Sequence, residues 1–282
     1  MNYISIVGAV ILLECPPGAH ADIEPLTPDA AAFSLWNPVP RDQMRRLSTD
    51  RPDATESPFT VDARHYQVEF SFVDYSRDNE GNVRTLDIAP LLLKAGLTPS
   101  IDFQVGLTPY TSQRSESGTS RETVDGFGDT IVRVKINLHG NDTGESALAI
   151  MPFIKIPTAS DGLGNDDLEA GIIVPAAFEL AHGFNLGAML EFDVVRNEAD
   201  DAYTLDLVHT ATIARGLTDT LGLFVEYAGA ADTSGESSYR ASLNTGMTLG
   251  ISPDIQLDAG VRIGLTGAAE DLGIFAGMAW RY

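Results

Sequence analysis

From residue 63 to the last residue the sequence changes character at every second position, in one stretch after another, and this period of two limits the fold more than any other feature. In residues 255–265, Ile255, Leu257, Ala259, Val261, Ile263 and Leu265 alternate with Gln256, Asp258, Gly260, Arg262 and Gly264. In residues 184–194, Phe184, Leu186, Ala188, Leu190, Phe192 and Val194 oppose Asn185, Gly187, Met189, Glu191 and Asp193. The closing stretch does the same, with Leu272, Ile274, Ala276, Met278, Trp280 and Tyr282 on one face and Gly273, Phe275, Gly277, Ala279 and Arg281 on the other. Twelve strands are expected, at 64–76, 83–95, 101–111, 129–139, 146–157, 168–181, 184–196, 202–215, 220–230, 238–251, 255–266 and 272–282. Pro90 and Pro175 interrupt the second and sixth, where a local bulge is expected.

Two fold classes can use such strands. A soluble sandwich or lipocalin-like binding barrel buries the apolar face and wets the polar one, whereas a membrane barrel does the reverse. Beyond the first turn of the chain no stretch has the roughly 18 consecutive apolar residues of a membrane helix. A membrane-spanning reading therefore requires a closed barrel, the other structure that satisfies every backbone group in lipid. The connections favour lipid outside: 97–100, 140–145, 182–183, 217–219 and 252–254 are short, while 112–128, 158–167, 197–201, 231–237 and 267–271 tend to be longer. The expected fold is all-β, a transmembrane antiparallel up-and-down barrel of about 12 strands with both termini in the periplasm. The last strand should pair with the first around His65 to Asp74, and Tyr282 reads as its closure and insertion signal, the contact for the barrel-assembly machinery.

The chain opens on the apolar run Ile4 to Leu13, then Pro16, Pro17 and Gly18, and Ala19-His20-Ala21 before Asp22, which reads as a signal peptide over residues 1–21. It is atypical, because no Lys or Arg precedes the run and Glu14 follows it, so the start codon is expected upstream. Cys15 is the one cysteine; without the leader no disulfide, thiol nucleophile or Cys-based metal site is available. Residues 22–62, broken by Pro25, Pro28, Pro38, Pro40, Pro52 and Pro58, read as an irregular periplasmic extension or plug, and 63–282 as the barrel. With 18 Lys and Arg against 40 Asp and Glu, the formal charge of −22 repels nucleic-acid phosphates, so no nucleic-acid partner is expected.

One segment carries a family resemblance. Residues 48–61, containing Thr49-Asp50-Arg51-Pro52-Asp53, together with Gly126-Phe127-Gly128-Asp129-Thr130, resemble the family named for the MetA pathway of phenol degradation. Gln67 to Glu69, Arg133 to Lys135, Asn137-Leu138 with Gly140-Asn141, and Lys155 to Thr158 continue the likeness over most of the chain. The resemblance implies an outer-membrane barrel that transports small molecules; the phenolic solute is the family's label.

The polar face supplies the candidate site. Arg133, Lys135, Lys155, Arg240, Arg262 and Arg281, with Glu69, Asp102, Glu169, Glu191, Asp193, Glu226 and Asp258, are expected to line a pore, where charges stay hydrated and tune passage. The opposing reading has these charges paired across strands in a filled barrel. Arg41, Arg45, Arg46, Asp50, Arg51 and Asp53 are candidates for a plug at the periplasmic mouth, against a flexible tether. The long loop 112–128, with Arg114 and Arg121, is expected either to fold inward as a constriction or to stand outward as a contact.

No cofactor, metal or catalytic set is expected. The loop 161–167 resembles a calcium loop in composition but lacks the spacing and terminal Glu of an EF-hand. The five histidines show no metal spacing and no serine elbow; His209 falls at an outward position with Thr210 and Thr212 inward. The function expected is an outer-membrane channel or transporter for small molecules, hydrophobic or aromatic ones among them, working amid outer-membrane lipid and lipopolysaccharide. The alternatives are a structural or adhesive barrel without transport and a soluble binding barrel.

Overall fold

The computed structural model describes residues 33–197, 202–232 and 239–282; the expected leader lies outside them. One antiparallel sheet accounts for nearly everything after residue 65. It begins with β1 (Tyr66–Asp78), whose two halves meet different partners: β2 (Val83–Ile88) pairs with the far half and β3 (Leu91–Thr98) with the near half. Strands β4 (Ile101–Leu107) and β5 (Tyr110–Ser117) divide the next position in the same way, pairing with β3 and β2 respectively. Strands β6 (Ser120–Gly126) and β7 (Thr130–His139) then pair with β5 and β4.

The rest are single strands in sequence order: β8 (Ser146–Ile156), β9 (Glu169–Glu179), β10 (Phe184–Asn197), β11 (Ala202–Gly216), β12 (Leu221–Asp232), β13 (Tyr239–Ser252), β14 (Ile255–Gly264) and β15 (Leu272–Arg281). Strand β15 returns to β1 over a register running from Gln67↔Arg281 to Arg77↔Leu272, and Tyr66 and Tyr282 exchange backbone hydrogen bonds at 3.2 and 2.8 Å. The sheet is thus a closed barrel, and joining β2 to β3, β4 to β5 and β6 to β7 end to end gives twelve staves.

Alternation explains the wall. Leu190, Leu223, Met247, Leu249, Ile263 and Ile274 stand exposed on the outside, where water would penalise them and lipid does not, while Glu69, Asp102, Gln104, Lys135 and Glu226 on the other face are fully buried. The band is that of an outer-membrane barrel. The even count puts both ends of the sheet at the short-turn rim, beside the turns after β3, β7, β9, β11 and β13.

Two sequence expectations are corrected. Residues 112–128 are not an inward constriction and not a loop: β5 and β6 form a hairpin, turning at Gly118 with φ of 61°, that lengthens the third and fourth staves outward beyond the rim. Its residues are polar on both faces because it stands clear of lipid, so no apolar period betrays it. Pro175 causes no bulge, because β9 runs through it unbroken; the pairing of β8 with β9 skips from Leu148↔Ala176 to Met151↔Ile173, so the missing N–H falls where that ladder lapses.

Candidate functional site in the barrel lumen

Residues 33–65 lead into β1 from the short-turn rim. Leu35 N–H donates to the Leu97 carbonyl, Val39 N–H to that of Ala63, and the Arg41 guanidinium lies 5.5 Å from the Tyr282 ring centroid. The chain then dips into the lumen, reaches residues 53–56 near mid-barrel, and climbs back to Tyr66. A segment without regular structure can be buried only if its backbone groups find partners. Wall carboxylates supply them. Glu69 accepts the N–H groups of Asp50 and Arg51, Glu226 those of Ala54 and Thr55 at 2.9 and 2.8 Å, and Asp102 that of Val61 at 3.0 Å.

Side chains complete the anchorage. Asp50 sits among three cations, 2.5 Å from Lys94, 2.6 Å from Lys135 and 3.5 Å from Arg133, and Lys94 also pairs with Glu69. Burial works to raise the Asp50 carboxyl, but the Lys135, Lys94 and Arg133 charges outweigh it and hold the group well below the ordinary range. Glu56 makes a two-pronged contact with Arg133 at 2.5 and 3.1 Å. Arg51 donates to Asp258 and Ser71, and the Thr55 hydroxyl packs among Thr210, Thr212 and Glu226. Nearest the rim, Arg45 pairs with Asp62, and Arg281 donates to Asp254 and to the Arg45 carbonyl. Burial pushes the Asp53 carboxyl up to about 7, aided by the neighbouring Glu226 charge and opposed by a Thr212 hydrogen bond.

Of the residues expected to line a pore, Glu69, Asp102, Arg133, Lys135, Glu226, Asp258 and Arg281 face inward against the N-terminal segment. Lys155 pairs with Glu169 at 2.5 Å and Arg262 with Asp74, both neighbouring-strand contacts of the wall itself. Glu191 and Asp193 carry the inward face of β10 beyond Met189, and Arg240 is half-exposed at the far rim, 3.7 Å from Asp206. Among the candidates on the segment, Arg45, Asp50, Arg51 and Asp53 lie inside and Arg41 and Arg46 stay exposed at the rim. Lys94 escaped the sequence reading although it is the one cation in the apolar run 91–97, and so did Glu56, Thr55 and Asp62. His209 faces outward; its Nε2 lies 2.9 Å from the Tyr239 hydroxyl and its ring stacks on that tyrosine.

The wall leaves no room for a side chain where the segment leaves it. A Cβ at Gly96 would lie 2.0 Å from the Asp62 carbonyl oxygen and 2.6 Å from that of Val61. Both are backbone atoms that cannot swing aside, so Gly96→Ala should displace residues 61–62 and loosen the segment. Limited proteolysis of the folded barrel should then cut within residues 44–60, which the parent protein protects.

The sequence profile of the family described as "Putative MetA-pathway of phenol degradation" matches residues 49–282. The chain belongs to that family. The match starts inside the lumenal segment, at Thr49, so the family's pattern takes in Asp50, Arg51, Asp53 and Glu56 as well as the strands that receive them. No curated protein matches the sequence. Among solved structures, an outer membrane channel from Pseudomonas putida F1 superposes with a TM-score of 0.59 at 11% identity, over 83% of this chain and 100% of that one. The NanC porin superposes with a TM-score of 0.52 at 8% identity, over 74% of this chain and 98% of that one. At these identities the likeness speaks for the barrel fold.

Proposed function

We propose that this family member is a gated outer-membrane channel for small molecules, and that residues 44–62 are its periplasmic gate. The observation that carries the reading is how the inward charges are spent. Glu69, Glu226, Asp102 and Lys135 all bind the N-terminal segment of chain, Glu69 and Glu226 in addition to partners on neighbouring wall strands. Every such contact can be exchanged for water if the segment leaves, since a wetted lumen tolerates the same charges. A gap of about 410 Å³ already persists between the segment and the wall, lined by Arg51, Asp53, Thr212, Arg215, Thr218 and Gln256. Small solutes, hydrophobic or aromatic ones included, are the class we assign, moving by diffusion and without covalent chemistry. The final strand, ending on Trp280 and Tyr282, is the part we assign to recognition by the assembly machinery.

Swelling of proteoliposomes in sized and charged solutes tests the reading. A channel swells with small solutes and stops at a size limit; a structural barrel, the second reading that the buried ion pairs favour, swells with none.

The gate should respond to pH. The Asp53 carboxyl holds its proton up to about 7 when docked and to about 3.8 when free. Through Asp53, docking therefore binds a proton and weakens as pH rises through 7, while below pH 4 the lowered Asp50 carboxyl works the other way, so docking is strongest between these limits. Open-channel events in planar bilayers should be more frequent at pH 8 than at pH 5; Asp53→Asn should reduce that difference, and burial raises the Glu56 carboxyl to about 7 as well, so Asp53→Asn with Glu56→Gln should flatten it.

A further inference from the structure

At the far ends of the first four staves the outward side chains turn from apolar to cationic. The registers Arg77↔Arg84 and Arg84↔Arg114 set three arginines directly opposite one another on β1, β2 and β5, and Arg114↔Thr123 adds a hydroxyl from β6. Paired residues share a face of the sheet, and here it is the outer one. Asp74 accepts from Arg262 and Ser76 donates to Glu270 on the lumen side, so alternation along β1 turns Arg77 outward. Like charges directly opposite destabilise a sheet, and little nearby offsets these. Glu116 is shared between Arg114 at 3.3 Å and Arg121 at 2.8 Å, and Asp125 accepts from the Tyr110 hydroxyl. Among the described residues Arg77 and Arg84 make no salt bridge. In a chain of net charge −22, four arginines against two acids reverse the sign of this patch.

The height of the row decides what it can meet. Arg77 is roughly 36 Å along β1 from Tyr66 at about 3.3 Å per residue, which a tilt of about 40° turns into roughly 28 Å above the short-turn rim, against an apolar band about 25 Å tall. The row therefore lies just past the hydrocarbon, at headgroup depth. Beneath it Ile88, Tyr110 and Phe127 stand exposed at the depth of the acyl chains. An occupant that fits both levels is anionic at one end and apolar below, which describes a lipid and not a free anion. Guanidinium suits the anionic end. Its planar fork stays charged at every physiological pH and gives two parallel N–H groups to the oxygens of one phosphate. Opposed strand positions are about 5 Å apart, so two forks reach the same phosphate.

We propose that Arg77, Arg84 and Arg114 form a binding site for a phosphate of a phosphorylated glycolipid in the outer leaflet, with its acyl chains lying on the wall over Ile88, Tyr110 and Phe127. A phosphate between opposed guanidiniums converts their repulsion into shared pairing. It also ties β5, the first strand of the polar hairpin, to β1 and β2 through a common ligand. The site stands outside the lumen and does not depend on the channel reading.

The probe is diphosphorylated lipid A, titrated into the full-length protein in detergent with the bound lipid read by native mass spectrometry. Arg84→Gln with Arg114→Gln should weaken binding at least tenfold, and lipid A stripped of both phosphates should bind the parent protein as poorly. Arg64→Gln, which removes an exposed arginine at the opposite rim, should leave the affinity unchanged. Equal binding by parent and double variant overturns the site; so does an equal loss in Arg64→Gln, which would mean that overall charge alone attracts the lipid. Inorganic phosphate in thousandfold excess should not displace lipid A, and displacement would make this a site for a free anion. A second measurement separates binding from folding. Without lipid, Arg84→Gln should lose heat-resistant gel migration at a higher temperature than the parent, since an opposed charge is gone, whereas lipid A should raise the transition of the parent by more than that of the variant. A variant less stable than the parent without lipid, or equally stabilised by it, contradicts a row completed by a bound phosphate.

Discussion

Deleting residues 40–60 should raise single-channel conductance severalfold and lift the size limit for solutes, while the barrel still folds. The excised stretch includes Asp50, Arg51, Asp53, Thr55 and Glu56, whose backbone or side chains occupy Glu69, Asp258, Thr212, Glu226 and Arg133. Those wall groups then face an aqueous lumen, where hydration replaces the lost partners and the desolvation cost of burying them disappears. The strand ladder survives, since its closure runs through β1 and β15. Heat-resistant migration on gels should therefore persist while the current per channel rises. Equal conductance with and without the segment would mean that it does not obstruct the path.

The second large effect is expected at Lys94. Its ammonium is buried between Asp50 and Glu69, and Lys94→Met leaves these carboxylates facing each other with Lys135 and Arg133 as the remaining cations. Removing one partner of a buried ion pair costs about 3–5 kcal/mol, mostly from the charge left behind. Because Asp50 belongs to the segment and Glu69 to the wall, that cost falls on docking. The variant should expose residues 44–60 to protease and conduct like the deletion, and adding Asp50→Asn should recover part of the protection. Arg262→Met makes the control: its pair with Asp74 is roughly a quarter exposed on both sides, so about 0–1 kcal/mol is expected and no change in gating.

The features legible in the sequence are those with a period. Residues 272–282 and 66–78 alternate strongly enough to reveal both the last stave and its partner, because one face must satisfy lipid and the other water. The β5–β6 hairpin has no such contrast and read as a loop. Pro90 is visible as an interruption, but its lying opposite Thr108, with Pro109 opposite Ala89, is a matter of register between staves, which local pattern does not carry. The lumenal segment shows the same division. Its charges advertise a polar destination, whereas the N–H groups of Ala54 and Thr55 that Glu226 accepts belong to the backbone and leave no mark in side-chain chemistry.

The most direct test of the gate holds it shut. The hydroxyls of Thr55 and Thr212 are 2.8 Å apart, one on the segment and one on β11, so Thr55→Cys with Thr212→Cys places two sulfurs within bonding reach. With the disulfide formed, a single channel in a planar bilayer should lose its open events, and a reductant added to the chamber should restore them. Equal currents in the oxidised and reduced states, with the crosslink verified, would contradict a gate that works by moving this segment.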